Sequence, residues 1–155
     1  MIHIDFVCTG NICRSPMAEV IIRQKLIDAS LDHAVHVTSS GIGGWHVGNP
    51  ADSRAVAELA AAGYDGSTHR AAQFGGSRMD ADLIVALDTR HVSELVARGV
   101  PEDRIRLLRS FDPASPSGAG VEDPYYGGPE GFTVTRQQIV AAADGILDWV
   151  RERVE

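Results

Sequence analysis

Residues 6–16 read FVCTGNICRSP and place Cys8, Cys13 and Arg14 inside seven consecutive positions of a 155-residue chain; no other cysteine occurs. Before this stretch, His3 to Val7 alternates and ends apolar, as a short strand does. After it, Ser15-Pro16 leads into MAEVIIRQKLIDAS. Ser15 suits a helix N-cap, Pro16 the first helical position, and Glu19 the first turn. Met17, Val20, Ile21, Leu26 and Ile27 supply an apolar face. The reading is strand, loop, helix, and it sets the pattern for the rest of the chain.

The unit recurs. AVHVTSS (34–40) reads as a strand, and residues 52–62 as a helix stopped at Gly63. DLIVAL (82–87) is a nearly all-apolar strand, followed by a helix from Asp88 to about Gly99. RIRLL (104–108) gives a fourth strand, and a long helix is expected from Thr133 to about Val154, interrupted only at Gly145. Strands alternating with helices predict an α/β fold: a single domain with a parallel sheet, helices on both faces, and Val85 in the buried middle. Two Gly/Pro-rich segments, 41–50 and 111–132, stay irregular, and long loops in a compact domain are more often functional than empty.

Composition narrows the function. The chain is 44% hydrophobic and 23% charged, as ordinary globular domains are, and no window approaches a membrane span. A formal charge of −7 without any basic run or Arg/Lys stripe disfavours nucleic-acid and anionic-membrane partners. The N-terminus lacks the pattern of a secretory signal, so synthesis into the cytoplasm is expected; that leaves export without a signal open. Two cysteines on one loop in a reducing compartment do not make a disulfide framework, which turns attention to thiol chemistry.

A loop from the C-terminal end of a parallel strand to a helix N-terminus is where such folds bind ligands, and its free N–H groups and helix dipole suit a small anion such as phosphate. Gly10 lets the backbone approach and take unusual dihedrals, and Asn11 tolerates left-handed geometry. Arg14 offers a planar fork for two phosphate oxygens. A thiol at Cys8 would then lie in an electropositive, partly exposed cradle that favours the thiolate, a nucleophile aimed at phosphorus. A lone cysteine after a strand is usually a packing residue. It is the combination of Cys8, five residues, and Arg14-Ser15, set before a proline-started helix, that argues for chemistry.

Here the chain resembles the low-molecular-weight protein tyrosine phosphatases. VCTGNICRSPMAE matches that family's N-terminal signature and DPYYG (123–127) its acid loop; WHVGNPADSR (45–54) and HRAAQ (69–73) are also similar, in the same order along nearly the whole chain. The likeness is nearest to actinobacterial members. It implies one domain over residues 1–155 with a four-stranded parallel sheet. It also implies a metal-free, cofactor-free hydrolysis of phosphotyrosine in proteins through a phosphocysteine. By that resemblance Cys8 is the nucleophile, Arg14 the phosphate clamp, and Asp123 the general acid that later serves as base. Residues Thr9, Gly10, Asn11, Ile12, Cys13, Arg14 and Ser15 bind the phosphate. Asn11, Ser15, Ser39 and His69 hold the loop, and Trp45, His46, Tyr125 and Tyr126 wall the cleft. Cys13 is either a small packing residue or a reversible disulfide partner for Cys8. Tyr125 and Tyr126, on an exposed Pro/Gly loop, are candidates for a tyrosine kinase, and a monomer is expected.

Two other functions compete. Arsenate reductases share the fold and anion loop but need further cysteines, and none follows Cys13. A binding module without turnover usually lacks the nucleophile, the arginine or the acid, and here Cys8, Arg14 and Asp123 all stand.

Overall fold

The computed structural model describes residues 1–154. Four strands, β1 (Ile2–Cys8), β2 (Val35–Gly41), β3 (Leu83–Ala86) and β4 (Ile105–Leu107), alternate with four helices. The helices are α1 (Arg14–Asp28), α2 (Ser53–Ala61), α3 (Thr89–Ala97) and α4 (Pro129–Arg151). The sheet order is β2-β1-β3-β4 and every pairing is parallel, as the alternation of elements predicts. β1 is therefore internal, running between Val35–Gly41 on one side and Leu83–Ala86 on the other. Its C-terminal residue Cys8 opens onto the edge of the sheet where parallel strands end.

The pleat divides β1 between two cores. Ile4, Phe6 and Cys8 join the larger cluster, built on α1, α2 and α4, while Val7 joins a smaller one with Ile84, Ala86, Leu95 and Val100. Three helices thus cover one face and α3 the other. Phe6 and Ile4 are fully buried, each contributing about 1.5–3 kcal/mol of transfer free energy. That packing makes β1 a rigid support for the loop at its C-terminal end. Asp5, also fully buried, points away from the larger core and accepts hydrogen bonds from Thr38 (2.6 Å) and Ser40 (2.7 Å). Burial pushes its carboxyl up from the ordinary value, against the pull of these hydroxyls and Arg78.

Four local expectations change. Helix α1 begins at Arg14 with Cys13 in the cap position, so Ser15 lies inside the helix and is not its N-cap; its hydroxyl is turned back toward Cys8. Glu19 lies beyond the first turn, where it accepts from Ser39 and Arg23. Helix α4 starts at Pro129, four residues before Thr133: proline needs no N–H partner in a first turn, and Phe132 is buried there. It also runs unbroken through Gly145, where a Cβ would lie 2.1 Å from the Phe111 carbonyl oxygen; glycine here permits close packing instead of ending the helix.

Candidate active site

The turn from β1 into α1 closes because Asn11 takes a left-handed backbone, φ 60°. Gly10, expected to share that freedom, has no positive φ; its missing side chain instead admits His46, whose Cδ2 would lie 2.9 Å from a Cβ. The loop's carbonyls are tied outward. Cys8 O accepts from Ile42 N (2.9 Å), Thr9 O from Gly43 N (2.9 Å), and Ile12 O from Asp52 N (2.8 Å). Gly41, at the end of β2, passes so close that a Cβ would lie 2.9 Å from Thr9 O. Among the described residues the amides of residues 9–13 bond to no carbonyl or side chain, which leaves them for an anion.

Beneath the loop lies a directed network. Asn11 is wholly buried and donates from Nδ2 to Ser15 Oγ (2.8 Å) and Ser39 Oγ (3.0 Å), while Oδ1 accepts from Ala72 N (2.9 Å). Ser39 in turn donates to Glu19. With one lone pair of Ser15 filled by Asn11, its hydroxyl lies 2.9 Å from the Cys8 sulfur and 3.3 Å from the Ser40 carbonyl; a protonated thiol can donate to it, and a thiolate can only accept its proton. His69 Nε2 lies 2.8 Å from the Asn11 carbonyl, which can only accept, so that nitrogen carries the hydrogen. Burial holds His69 below its ordinary value against that bond and Glu19. The four residues expected to hold the loop are thus brought together. The side chains of Asn11 and Ser15, also expected to bind phosphate, turn beneath the loop and do not line the pocket above it.

That pocket, about 330 Å³, is lined by Cys8, Thr9, Gly10, Ile12, Cys13 and Arg14, by Trp45 and His46 from the segment after β2, and by Asp123, Tyr125 and Tyr126. Cys8 lies deeper than the sequence reading placed it, only 3% exposed at the pocket floor. Arg14 is 3% exposed and is fixed by donation from Nη1 to the Val121 carbonyl (2.9 Å) and from Nη2 to Thr9 Oγ1 (3.2 Å). Two carboxylates flank it, Asp88 and Asp123, each at 3.6 Å. Asp123 heads a short turn and accepts from Tyr125 N through Oδ1 (3.1 Å), leaving Oδ2 on the pocket side near Arg14. The rings of Tyr125 and Tyr126 meet edge to face at 5.1 Å, and Trp45 and Tyr126 are largely exposed. A flat, aromatic-walled opening above a deep thiol suits an aryl phosphate. Both cysteines are free thiols, and burial pushes Cys13 well above its ordinary value, so it stays protonated.

Several contributors escaped the sequence reading. Asp88 was assigned only as the start of α3; it does accept from Thr89 N (2.7 Å), and it also faces Arg14. His91, one turn on, lies with Nε2 2.9 Å from Thr9 Oγ1. Arg54 ties the acid loop to α2, donating to the carbonyls of Tyr125 (3.1 Å) and Gly127 (3.2 Å) while paired with Asp52 (3.0 Å). A signal for Asp88 and His91 was present: both follow the DLIVAL strand, and parallel strands deliver their C-terminal loops to the same edge of the sheet.

Comparison with known proteins agrees with this geometry. The family model described as low molecular weight phosphotyrosine protein phosphatase matches residues 3–155. Low molecular weight protein-tyrosine phosphatase A of Mycobacterium tuberculosis is 52% identical over 154 residues, covering 99% of this chain and 94% of that one. The low molecular weight protein-tyrosine-phosphatase of Streptomyces coelicolor is 51% identical over 159 residues, covering 99% and 96%. Among solved structures, YfkJ from Bacillus subtilis superposes with a TM-score of 0.92 at 32% identity, over 100% of this chain and 98% of that one. With a parallel sheet, a thiol under free amides and these relatives in agreement, the chain belongs to the low molecular weight phosphotyrosine protein phosphatase family.

Proposed function

We propose that this protein hydrolyses phosphotyrosine in proteins in two steps through a phosphocysteine on Cys8. The carrying observation is the stacking of one thiol, one arginine and one carboxyl around a single opening: Cys8 at the floor, Arg14 beside it, and Asp123 at the rim. In the first step the Cys8 thiolate attacks phosphorus and the bond to the tyrosyl oxygen breaks. Asp123 Oδ2 gives its proton to the departing phenolate. In the second, a water oxygen attacks the phosphocysteine, Asp123 takes the water's proton, and the Cys8 thiolate leaves with inorganic phosphate as product. The loop amides and the Arg14 fork stabilise charge on the equatorial oxygens in both steps. Ser15 supports the leaving thiolate by donation at 2.9 Å. The depth of the pocket favours an aryl ester over a shorter alkyl one, and the acidic chain favours no nucleic acid.

Trp45, His46, Tyr125 and Tyr126 receive the substrate ring and the residues beside it. The protein is proposed to act as a monomer. Tyr126, 88% exposed, is accessible to a tyrosine kinase, and phosphate on it would stand at the pocket mouth. Cys13, on the same loop as Cys8, would serve as its disulfide partner under oxidation. The experiment is turnover of p-nitrophenyl phosphate and a phosphotyrosine peptide, alongside arsenate reduction, with EDTA present throughout. Phosphate release that survives the chelator supports the reading; arsenate reduction alone, or binding of the peptide without turnover, overturns it.

A further inference from the structure

His91 is 2% exposed and takes no part in the two steps above. Its Nε2 lies 2.9 Å from Thr9 Oγ1, the oxygen that also accepts from Arg14 Nη2 at 3.2 Å. Its other nitrogen, Nδ1, is buried with no partner among the described residues. The relative cost of the two tautomers favours one of them. Hydrogen on Nδ1 would leave a buried donor unpaired, whereas hydrogen on Nε2 leaves only a bare ring lone pair, the milder loss. Nε2–H therefore donates to Thr9. A hydroxyl has two lone pairs and one proton. Arg14 and His91 occupy both lone pairs, so the Thr9 proton must go elsewhere, and Thr9 lines the pocket.

We propose that His91 is a positioning residue for phosphate: by donating to Thr9 it turns the Thr9 hydroxyl into a fixed acceptor for Arg14 and an obligate donor to a substrate phosphate oxygen. The inference rests on the phosphatase reading for its substrate. Donation from Nε2 needs no charge on the ring, and the surroundings favour the neutral form. The groups facing His91 are Arg14 from α1, Arg90 and Asp88 from its own helix start, and Asp123 from the acid loop. Burial first, and then Arg14, hold His91 at about 4, with Arg90 acting in the same sense and the two carboxylates against it. A charged ring would add a second buried cation beside the phosphate clamp.

The test compares His91→Gln with His91→Leu. Glutamine places an amide N–H near the position of Nε2; leucine fills the space without a donor. Inorganic phosphate binding is measured by calorimetry and kcat/KM on p-nitrophenyl phosphate, with melting temperatures for both variants. The expected result is that His91→Leu weakens phosphate binding and lowers kcat/KM each about tenfold, the loss of one charge-coupled hydrogen bond. His91→Gln should recover most of both, and His91→Leu should add nothing further in a Thr9→Val background. Equal losses in the two variants that track their melting temperatures, or full additivity with Thr9→Val, would overturn the proposal. Should the wild type fail to hydrolyse p-nitrophenyl phosphate, the phosphatase reading falls, while the phosphate-binding arm still decides the role of His91.

Discussion

Replacing Asn11 by alanine should destabilise the protein more than any other single change in the loop. Asn11 is fully buried and makes three side-chain hydrogen bonds, to Ser15 (2.8 Å), Ser39 (3.0 Å) and from Ala72 N (2.9 Å). The two donor bonds are worth about 1 kcal/mol each. The Ala72 amide, left without its acceptor, adds about 1 kcal/mol more. The backbone sits at φ 60°, which alanine adopts at a cost of about 1 kcal/mol. The total is about 4 kcal/mol, equivalent to a fall in melting temperature of roughly 8–16 °C for a chain of this size. Urea unfolding of wild type, Asn11→Ala and Asn11→Gly measures it directly. Glycine loses the same side chain but accepts the left-handed backbone, so it should be less damaged than alanine. Asn11→Ala should also lower kcat, because Ser15 loses the partner that orients its proton toward Cys8. A loss under about 1 kcal/mol, or a glycine variant no better than alanine, would refute the reasoning.

Other outcomes follow from particular contacts. Arg54→Met frees the carbonyls of Tyr125 and Gly127 from α2, so the acid loop should loosen. Its kcat should drop more for phenyl phosphate than for p-nitrophenyl phosphate, whose leaving group departs with less help from an acid; equal losses would place the arginine's role elsewhere. Peroxide inactivation should be reversed by dithiothreitol in the wild type and much less in Cys13→Ser, and equal recovery would remove Cys13 as redox partner. Because His91 titrates from 6.5 when unfolded to about 4 when folded, its contribution to stability is complete above pH 6.5 and is lost as pH falls toward 4. Urea unfolding between these limits should show the wild type losing up to about 3 kcal/mol relative to His91→Gln; parallel curves would show that His91 does not stay neutral in the fold.

The fold was legible because hydrophobic periodicity, the N-terminal signature and the βα alternation agree, as with DLIVAL and the helix after Asp88. Boundaries were less so where one residue type serves two ends. Ser15 looks like a cap because serine caps helices, but here its hydroxyl is engaged by the Cys8 sulfur and by Asn11 Nδ2 instead. Pro129 and Gly128 read as loop, whereas proline also opens helices and Phe132 supplies the tertiary part by packing into the core. Asp88, His91 and Arg54 were missed for a different reason. Their roles depend on which strands are neighbours and which carbonyls lie within reach, and the order β2-β1-β3-β4 is not written in any local pattern. Cys8, Arg14 and Asp123 stood out only in combination, and the fold places Arg14 and Asp123 3.6 Å apart.

The most direct test of the proposed chemistry is to quench the enzyme during turnover of a phosphotyrosine peptide and locate the phosphoryl group by mass spectrometry under conditions that preserve phosphothiol bonds. The expected result is a phosphoryl adduct on Cys8, formed and discharged on the timescale of turnover, and absent from Cys8→Ser, which should still bind phosphate through the loop amides and Arg14. An adduct on any other residue, or substantial turnover by Cys8→Ser, would contradict the mechanism.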